Sequence, residues 1–274
     1  MRNLFFILAL ALTSTCLADI MPDGQKRLEE LRERFNSPTI RVQLMSDSEG
    51  AQVEVKGPYN IYDPRTGKKL DSAYMGSSYY MYPTIDGIKW GQEFPGIYQV
   101  LIVPDRLDAT LLMGGTEYRG MGYMYQIKGV LGGVNEVSLE QFVASMLSTH
   151  IPADVTEKEA IAALGIALRT EALYWLAIAN NQYWDIKAGT VGYRGAAFER
   201  HDPAFDEALK QTRDMVMKKM GSNDLVSVRW FSAGETMAPV HEMQQLAKEG
   251  KDARAILEKL FGEMKIVKAQ SFKE

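Results

Sequence analysis

Cysteine and histidine are nearly absent from this 274-residue sequence: Cys16 is the sole cysteine, and the histidines are His150, His201 and His241. The three histidines lie about fifty and forty residues apart with no His-x-x-x-His pair, so neither a dedicated metal site nor any cofactor is expected. Charge of one sign is also lacking. Lysine plus arginine is 31 against 35 aspartate plus glutamate, a net charge of −4, and the signs alternate along most of the chain. A generic nucleic-acid binder is excluded by that balance. No phosphate loop ends in Gly-Lys-Ser/Thr, although glycines cluster at Gly114-Gly115, Gly120-Met121-Gly122 and Gly129 to Gly133. These read as turns between strands. There is no Gly-x-Ser-x-Gly elbow, no internal repeat and no low-complexity linker.

What is present begins with an export signal. Met1-Arg2-Asn3 leads into the apolar run Leu4 to Leu12 and ends at Cys16-Leu17-Ala18, a basic start, an apolar middle and small residues before Asp19. Cleavage after Ala18 is expected, with a short uncleaved anchor or lipid attached to Cys16 as the alternatives. A cut there leaves a chain without cysteine, and therefore without disulfides or thiolate metal ligands. No second long apolar segment of that kind follows, so a soluble protein of the periplasm or cell envelope is expected, without a stable membrane span.

Residues 25 to 35 form a charged lead-in helix with Leu28, Leu31 and Phe35 at helical spacing. From Thr39 the pattern alternates, as in Ile40-Arg41-Val42-Gln43-Leu44 and Tyr59-Asn60-Ile61-Tyr62, between turn sequences such as Asp63-Pro64-Arg65-Thr66-Gly67. Residues 39 to 136 are therefore expected to be mostly β. A helix capped by Ser138 follows. A second helix opens with the capping box Thr156-Glu157-Lys158-Glu159 and runs through an alanine-rich stretch to Ala179, apolar on most sides and hence buried and central. Beyond it the pattern predicts a charged helix over 203–219, a strand over 225–231 and helices over 238–249 and 251–261. The fold class is α+β, one domain with a β-rich N-terminal lobe.

Tyr118-Arg119-Gly120, then Gly133-Val134-Asn135-Glu136-Val137-Ser138-Leu139-Glu140-Gln141-Phe142-Val143, then the ALGIALRTEAL stretch over 163–173 occur in an order that resembles the stage II sporulation protein D (SpoIID) family. Later pieces keep the order: Tyr183-Trp184-Asp185-Ile186, Thr190 to Gly195, Ala208 to Asp214, and Phe231-Ser232-Ala233-Gly234-Glu235-Thr236. The resemblance covers a SpoIID-like domain (38–265), which follows the signal peptide (1–18) and the lead-in helix (19–37) read from the residues. It implies binding to peptidoglycan glycan strands and, in active members, lytic transglycosylation during division or envelope morphogenesis, with a cell-wall amidase or division proteins as further partners. Zinc-binding cysteines of some relatives are missing.

The chemistry that the resemblance implies runs through one glutamate, which protonates the glycosidic oxygen and then, as carboxylate, stabilises the oxocarbenium-like sugar and takes the proton of the muramic 6-hydroxyl. This sequence has His150 at that position, in Thr149-His150-Ile151-Pro152. An imidazole can move a proton but leaves no negative charge behind. Two readings therefore stand: a weakened lytic transglycosylase, or a non-catalytic glycan-binding scaffold or amidase activator. Arg169, on an apolar helix, is the second catalytic candidate, either facing a polar cleft or holding a carboxylate. Glu140, Thr170, Tyr193, Ser232 and Glu235 are the substrate-binding candidates. Glu171 is a possible replacement acid, although a solvated helix face is the expectation for it. The aromatics from Tyr74 to Trp90 are either sugar-facing or half-buried strand residues.

Overall fold

A computed structural model describes residues 23–196, 203–230 and 237–269, so the expected signal over 1–18 lies outside the described residues. Helix α1 (Asp23–Glu33) comes first, with Leu31 buried and Leu28 partly so, and Phe35 is buried in the turn that follows it. The β-rich lobe then runs through β1 (Thr39–Ser48), β2 (Ala51–Val55), β3 (Tyr59–Tyr62), β4 (Lys69–Ala73), β5 (Ser77–Thr84) and β6 (Gly87–Trp90). It continues through β7 (Gln92–Pro95), β8 (Gln99–Pro104), β9 (Thr110–Met113), β10 (Thr116–Arg119), β11 (Met121–Ile127) and β12 (Val130–Ser138). The helical part holds α2 (Leu139–His150), α3 (Lys158–Ile178), β13 (Ile186–Lys187), α4 (Ala188–Val191), α5 (Pro203–Gln211) and β14 (Met215–Lys219). Helices α6 (Met237–Lys248) and α7 (Ala253–Phe261) and strand β15 (Met264–Lys268) close it. The fold is mixed α+β.

The strands make a seven-stranded sheet, β13-β1-β12-β11-β8-β3-β4, a six-stranded sheet, β10-β9-β2-β5-β6-β7, and the pair β14-β15. Among the described residues every strand pairing is antiparallel except β1 with β13. Strand β8 shows why an apolar run such as Val100-Leu101-Ile102-Val103 needs no alternation. Val100 and Ile102 enter the core shared with the second sheet, while Leu101 and Val103 face the other way, under Leu31 of α1 and Phe35 just beyond it. Helix α1 is also pinned by charge. Arg32 donates from Nε and Nη2 to the wholly buried carboxylate of Glu136 on β12, at 2.5 and 3.2 Å, and Thr39 donates to the same group at 2.6 Å.

Ser138 caps α2 as expected, its hydroxyl accepting from the Gln141 amide at 3.2 Å. Every residue of α3 from Ala160 to Leu173 is buried, and α2, α5, α6, α7 and β14 pack around it. Where the sequence suggested no further long apolar segment, one segment among the described residues is long and apolar enough to cross a membrane. That segment is α3, and 78% of its apolar window is buried inside the fold, so its apolarity is that of a core helix.

Three local expectations change. The predicted capping box does not form: α3 begins at Lys158 without a side-chain cap, and Glu159 instead accepts from the Ala253 amide at 2.8 Å, serving the first turn of α7. The charged helix expected over 203–219 stops at Gln211, and Met215–Lys219 is a strand paired with Met264–Lys268. In place of the strand expected from 225, the described residues carry only a bridge between Leu225 and Lys218.

Candidate functional site

His150 is the last residue of α2, at the end of the stripe Phe142, Met146, His150. Its Nδ1 lies 3.2 Å from the Met146 carbonyl oxygen. A carbonyl can only accept, so Nδ1 carries the hydrogen and Nε2 presents a lone pair in the neutral ring. Burial, and then the positive charge of Arg194, push the imidazole pKa below its ordinary 6.5.

The segment Gly192-Tyr193-Arg194-Gly195 runs along α2 and shapes this end of it. Gly192 has φ 70°, and a Cβ there would sit 2.9 Å from Cε1 and 3.0 Å from Nε2 of His150. Only glycine suits both the backbone and the approach to the ring. Tyr193 is buried, stacks on Phe142 with centroids 5.3 Å apart, and donates its hydroxyl to Asn135 Oδ1 at 2.8 Å. Asn135 in turn donates to the carbonyls of Arg119 and Met121 at 2.7 and 3.2 Å. Ser145 of α2 donates to the Gly195 carbonyl at 2.5 Å. Tyr193 is thus a brace between β12 and α2, with its ring and hydroxyl both engaged.

Arg169 is placed elsewhere. Its side chain is fully buried and grips Glu140 through two bonds, Nε to Oε1 at 2.7 Å and Nη2 to Oε2 at 2.8 Å. It also donates to the Leu209 carbonyl at 3.2 Å and to Thr212 Oγ1 at 3.4 Å. Glu140 is in the first turn of α2 and His150 at its last residue, so ten residues of helix separate the two by roughly 15 Å. The two residues picked out as catalytic are therefore not brought together. Of the alternatives for Arg169, holding a carboxylate is the one observed, although the side chain also borders a cavity of about 800 Å³ beside α1. Thr170 is fully buried, donating to the Ile166 carbonyl at 2.7 Å and accepting from the Met217 amide at 2.9 Å, which ties α3 to β14. Ser232 and Glu235 lie outside the described residues.

A cleft of about 430 Å³ opens at the C-terminal end of α3, lined among others by Glu171, Tyr174, Trp175, Trp184, Thr190 and Arg229. Thr190 is two residues before Gly192, so α4 connects this cleft to the His150 end of α2. Glu171 corrects the sequence expectation: it is buried, at 2% exposure, because a helix apolar all round has no solvated face at that turn. Trp184 was legible only as one of the ordered pieces, and the glycines at 192 and 195 were the sequence signal for the segment pressed on α2. The aromatics from Tyr74 to Trp90 belong to the second sheet and its turns, with Tyr74 94% exposed and Trp90 buried. Among the described residues, no group of three or more His, Cys, Asp or Glu side chains is placed to hold a metal ion.

This α+β domain, with a central buried helix and a helix-end histidine, has sequence relatives. The stage II sporulation protein family, SpoIID, matches residues 128–218. An uncharacterized protein of Chlamydia pneumoniae is 31% identical over 240 residues, 86% of this chain and 84% of the relative. One from Chlamydia muridarum is 30% identical over 243 residues, 88% of this chain and 81% of the relative. A third, from Brachyspira hyodysenteriae, is 27% identical over 199 residues, 72% of this chain and 52% of that protein. No solved structure matches. The chain thus carries a SpoIID-family domain over residues 128–218, which points to a cell-wall-related role.

Proposed function

We propose that this chain is an exported cell-envelope protein that binds peptidoglycan glycan strands and has lost most or all of the strand-cleaving step. The observation that carries this reading is the state of His150, the residue that stands where the family resemblance places the catalytic glutamate. Lytic transglycosylation needs a protonated acid at the glycosidic oxygen and a negative charge at the same atom once the proton has gone. Burial, and then Arg194, lower the His150 pKa below its ordinary 6.5, so near neutral pH the ring is mostly uncharged, and in the tautomer that donates from Nδ1 to the Met146 carbonyl Nε2 carries no proton. It brings no negative charge in either protonation state. Losing a positioned acid forfeits roughly 10²–10⁴-fold in rate, and losing the charge forfeits more.

A protein of this kind acts by holding strands, and recruitment or activation of an amidase or of division proteins is the role that suits it. Sacculi and peptide-stripped strands incubated with the purified protein and with His150→Ala and His150→Glu, followed by mass spectrometry, test the reading. Strands should be retained by the wild type without anhydromuramic ends, and His150→Glu should gain them. Anhydromuramic ends formed by the wild type and absent with His150→Ala would show that the imidazole does the proton work, and the proposal would fall.

A further inference from the structure

The cleft at the end of α3 has the make-up of a carbohydrate subsite. Glu171, Tyr174, Trp175 and Ile178 follow the spacing i, i+3, i+4, i+7, so a single face of α3 lines it. On a helix buried from Ala160 to Leu173, Tyr174 is 37% and Ile178 58% exposed, so aromatic and apolar surface is left at the rim. One turn back, Glu171 keeps a carboxylate inside the fold, where an apolar side chain would avoid the cost of desolvation. That carboxylate is not without a partner in the protein, and a carboxylate can accept at up to four lone-pair sites.

Trp184 also lines the cleft, and it is braced. Tyr125 and Tyr183 stack at 4.7 Å and 12°, and Trp184 lies 6.5 and 6.3 Å from them at 20° and 25°. Neither tyrosine lines the cleft, so Trp184 is the member of the stack that faces it. Asn181 fixes the turn, its Oδ1 accepting from the Tyr183 and Trp184 amides at 2.8 and 3.3 Å. The neighbouring Asp185 is held by Arg41, at 2.7 Å from Nη2 and 2.8 Å from the backbone amide.

A rigid indole wall, an exposed aromatic rim and acceptor groups of a carboxylate and of Asn180 match a ring with apolar C–H faces and a periphery of O–H and N–H donors. The volume falls within the range of small-molecule sites. We propose that this cleft receives an N-acetylhexosamine unit of the glycan strand, packed on Trp184 and hydrogen-bonded by Glu171. The inference rests on the strand-binding reading above.

The test uses the full purified protein with peptide-stripped glycan strands and with an N-acetylglucosamine tetramer as probes, read by tryptophan emission and by calorimetry. Strands and tetramer should shift the emission, and Trp184→Phe should remove most of that shift. Trp184→Ala, Glu171→Gln and Glu171→Ala should each weaken binding by about tenfold or more. Glu171→Gln keeps the shape, and Trp184→Phe keeps a ring, so a loss in either with an unchanged urea midpoint is a loss of recognition and not of fold. Strand binding equal to wild type in Glu171→Gln and Trp184→Phe would overturn the subsite and leave strand binding standing. Strands that fail to bind the wild type would overturn the strand-binding reading and the subsite with it.

Discussion

Removing the Glu140 carboxylate should be among the most damaging single changes in the helical part. The guanidinium of Arg169 is fully buried and its two shortest bonds, 2.7 and 2.8 Å, both end on Glu140. In Glu140→Ala it would keep only the Leu209 carbonyl at 3.2 Å and the Thr212 hydroxyl at 3.4 Å. A buried cation stripped of its partner costs about 3–5 kcal/mol. With a urea slope of about 3 kcal/mol per molar, suited to a domain of this size, the unfolding midpoint should fall by about 1–2 M. The pair as a whole is worth far less than either half left alone, so the double variant Glu140→Leu/Arg169→Met should regain most of the lost stability. Glu140 is also roughly 15 Å along α2 from His150, so strand retention by folded Glu140→Ala, assayed in the cold, should match the wild type. A midpoint shift worth less than about 1 kcal/mol, the scale of an exposed pair, would refute the reasoning. It would mean that water from the adjoining cavity solvates the guanidinium.

Two further outcomes follow from charged groups already described. His150 has a lowered pKa in the fold, so the unfolded chain takes up its proton first; the stability tied to the neutral ring is present above pH 6.5 and is lost as pH falls below it. Urea midpoints at about pH 7.5 and 5.5 should drop further in the wild type than in His150→Gln, and equal drops would count against a neutral buried imidazole. Burial alone would push the Glu136 carboxyl up, but Arg32 and the Thr39 hydroxyl hold it below the usual glutamate value. Glu136→Gln should therefore release α1, seen as faster amide exchange over residues 23–33, and unchanged exchange there would show that Leu31 and Phe35 suffice to hold the helix.

Much of this architecture could be read from period and punctuation. The alternation from Thr39 onward, the turns rich in Asp, Gly and Pro, and Ser138 before an apolar stripe are local signals, and the strands and α2 follow them. What failed was decided by distant partners. Glu159 sits where a capping box would use it, yet a first-turn amide of α7 takes the carboxylate. Met215–Lys219 continues a charged, helix-like pattern, and only Met264–Lys268 makes it a strand. On an apolar helix the Arg169 cation read as facing a polar cleft or holding a carboxylate, so a need for one or the other was legible. That Glu140 answers the need, 29 residues earlier, was not. The same limit hid the cleft: Glu171 and Trp184 become neighbours of one cavity only after the chain has turned back past the end of α3.

The placement of β1 bears on how the chain acquires its shape. This early strand has no sheet neighbour near it in sequence: its partners are β12, where Thr39 meets Glu136 at a separation of 97 residues, and β13, just before which Asp185 meets Arg41 at 144. The clamp from Arg32 to Glu136 spans 104. Loop closure over such distances must precede the gain from pairing, which makes for slow folding. A strand that emerges early and pairs late stays open to other chains in the interval, so β1 is the stretch where a chaperone that keeps the polypeptide extended would do the most good.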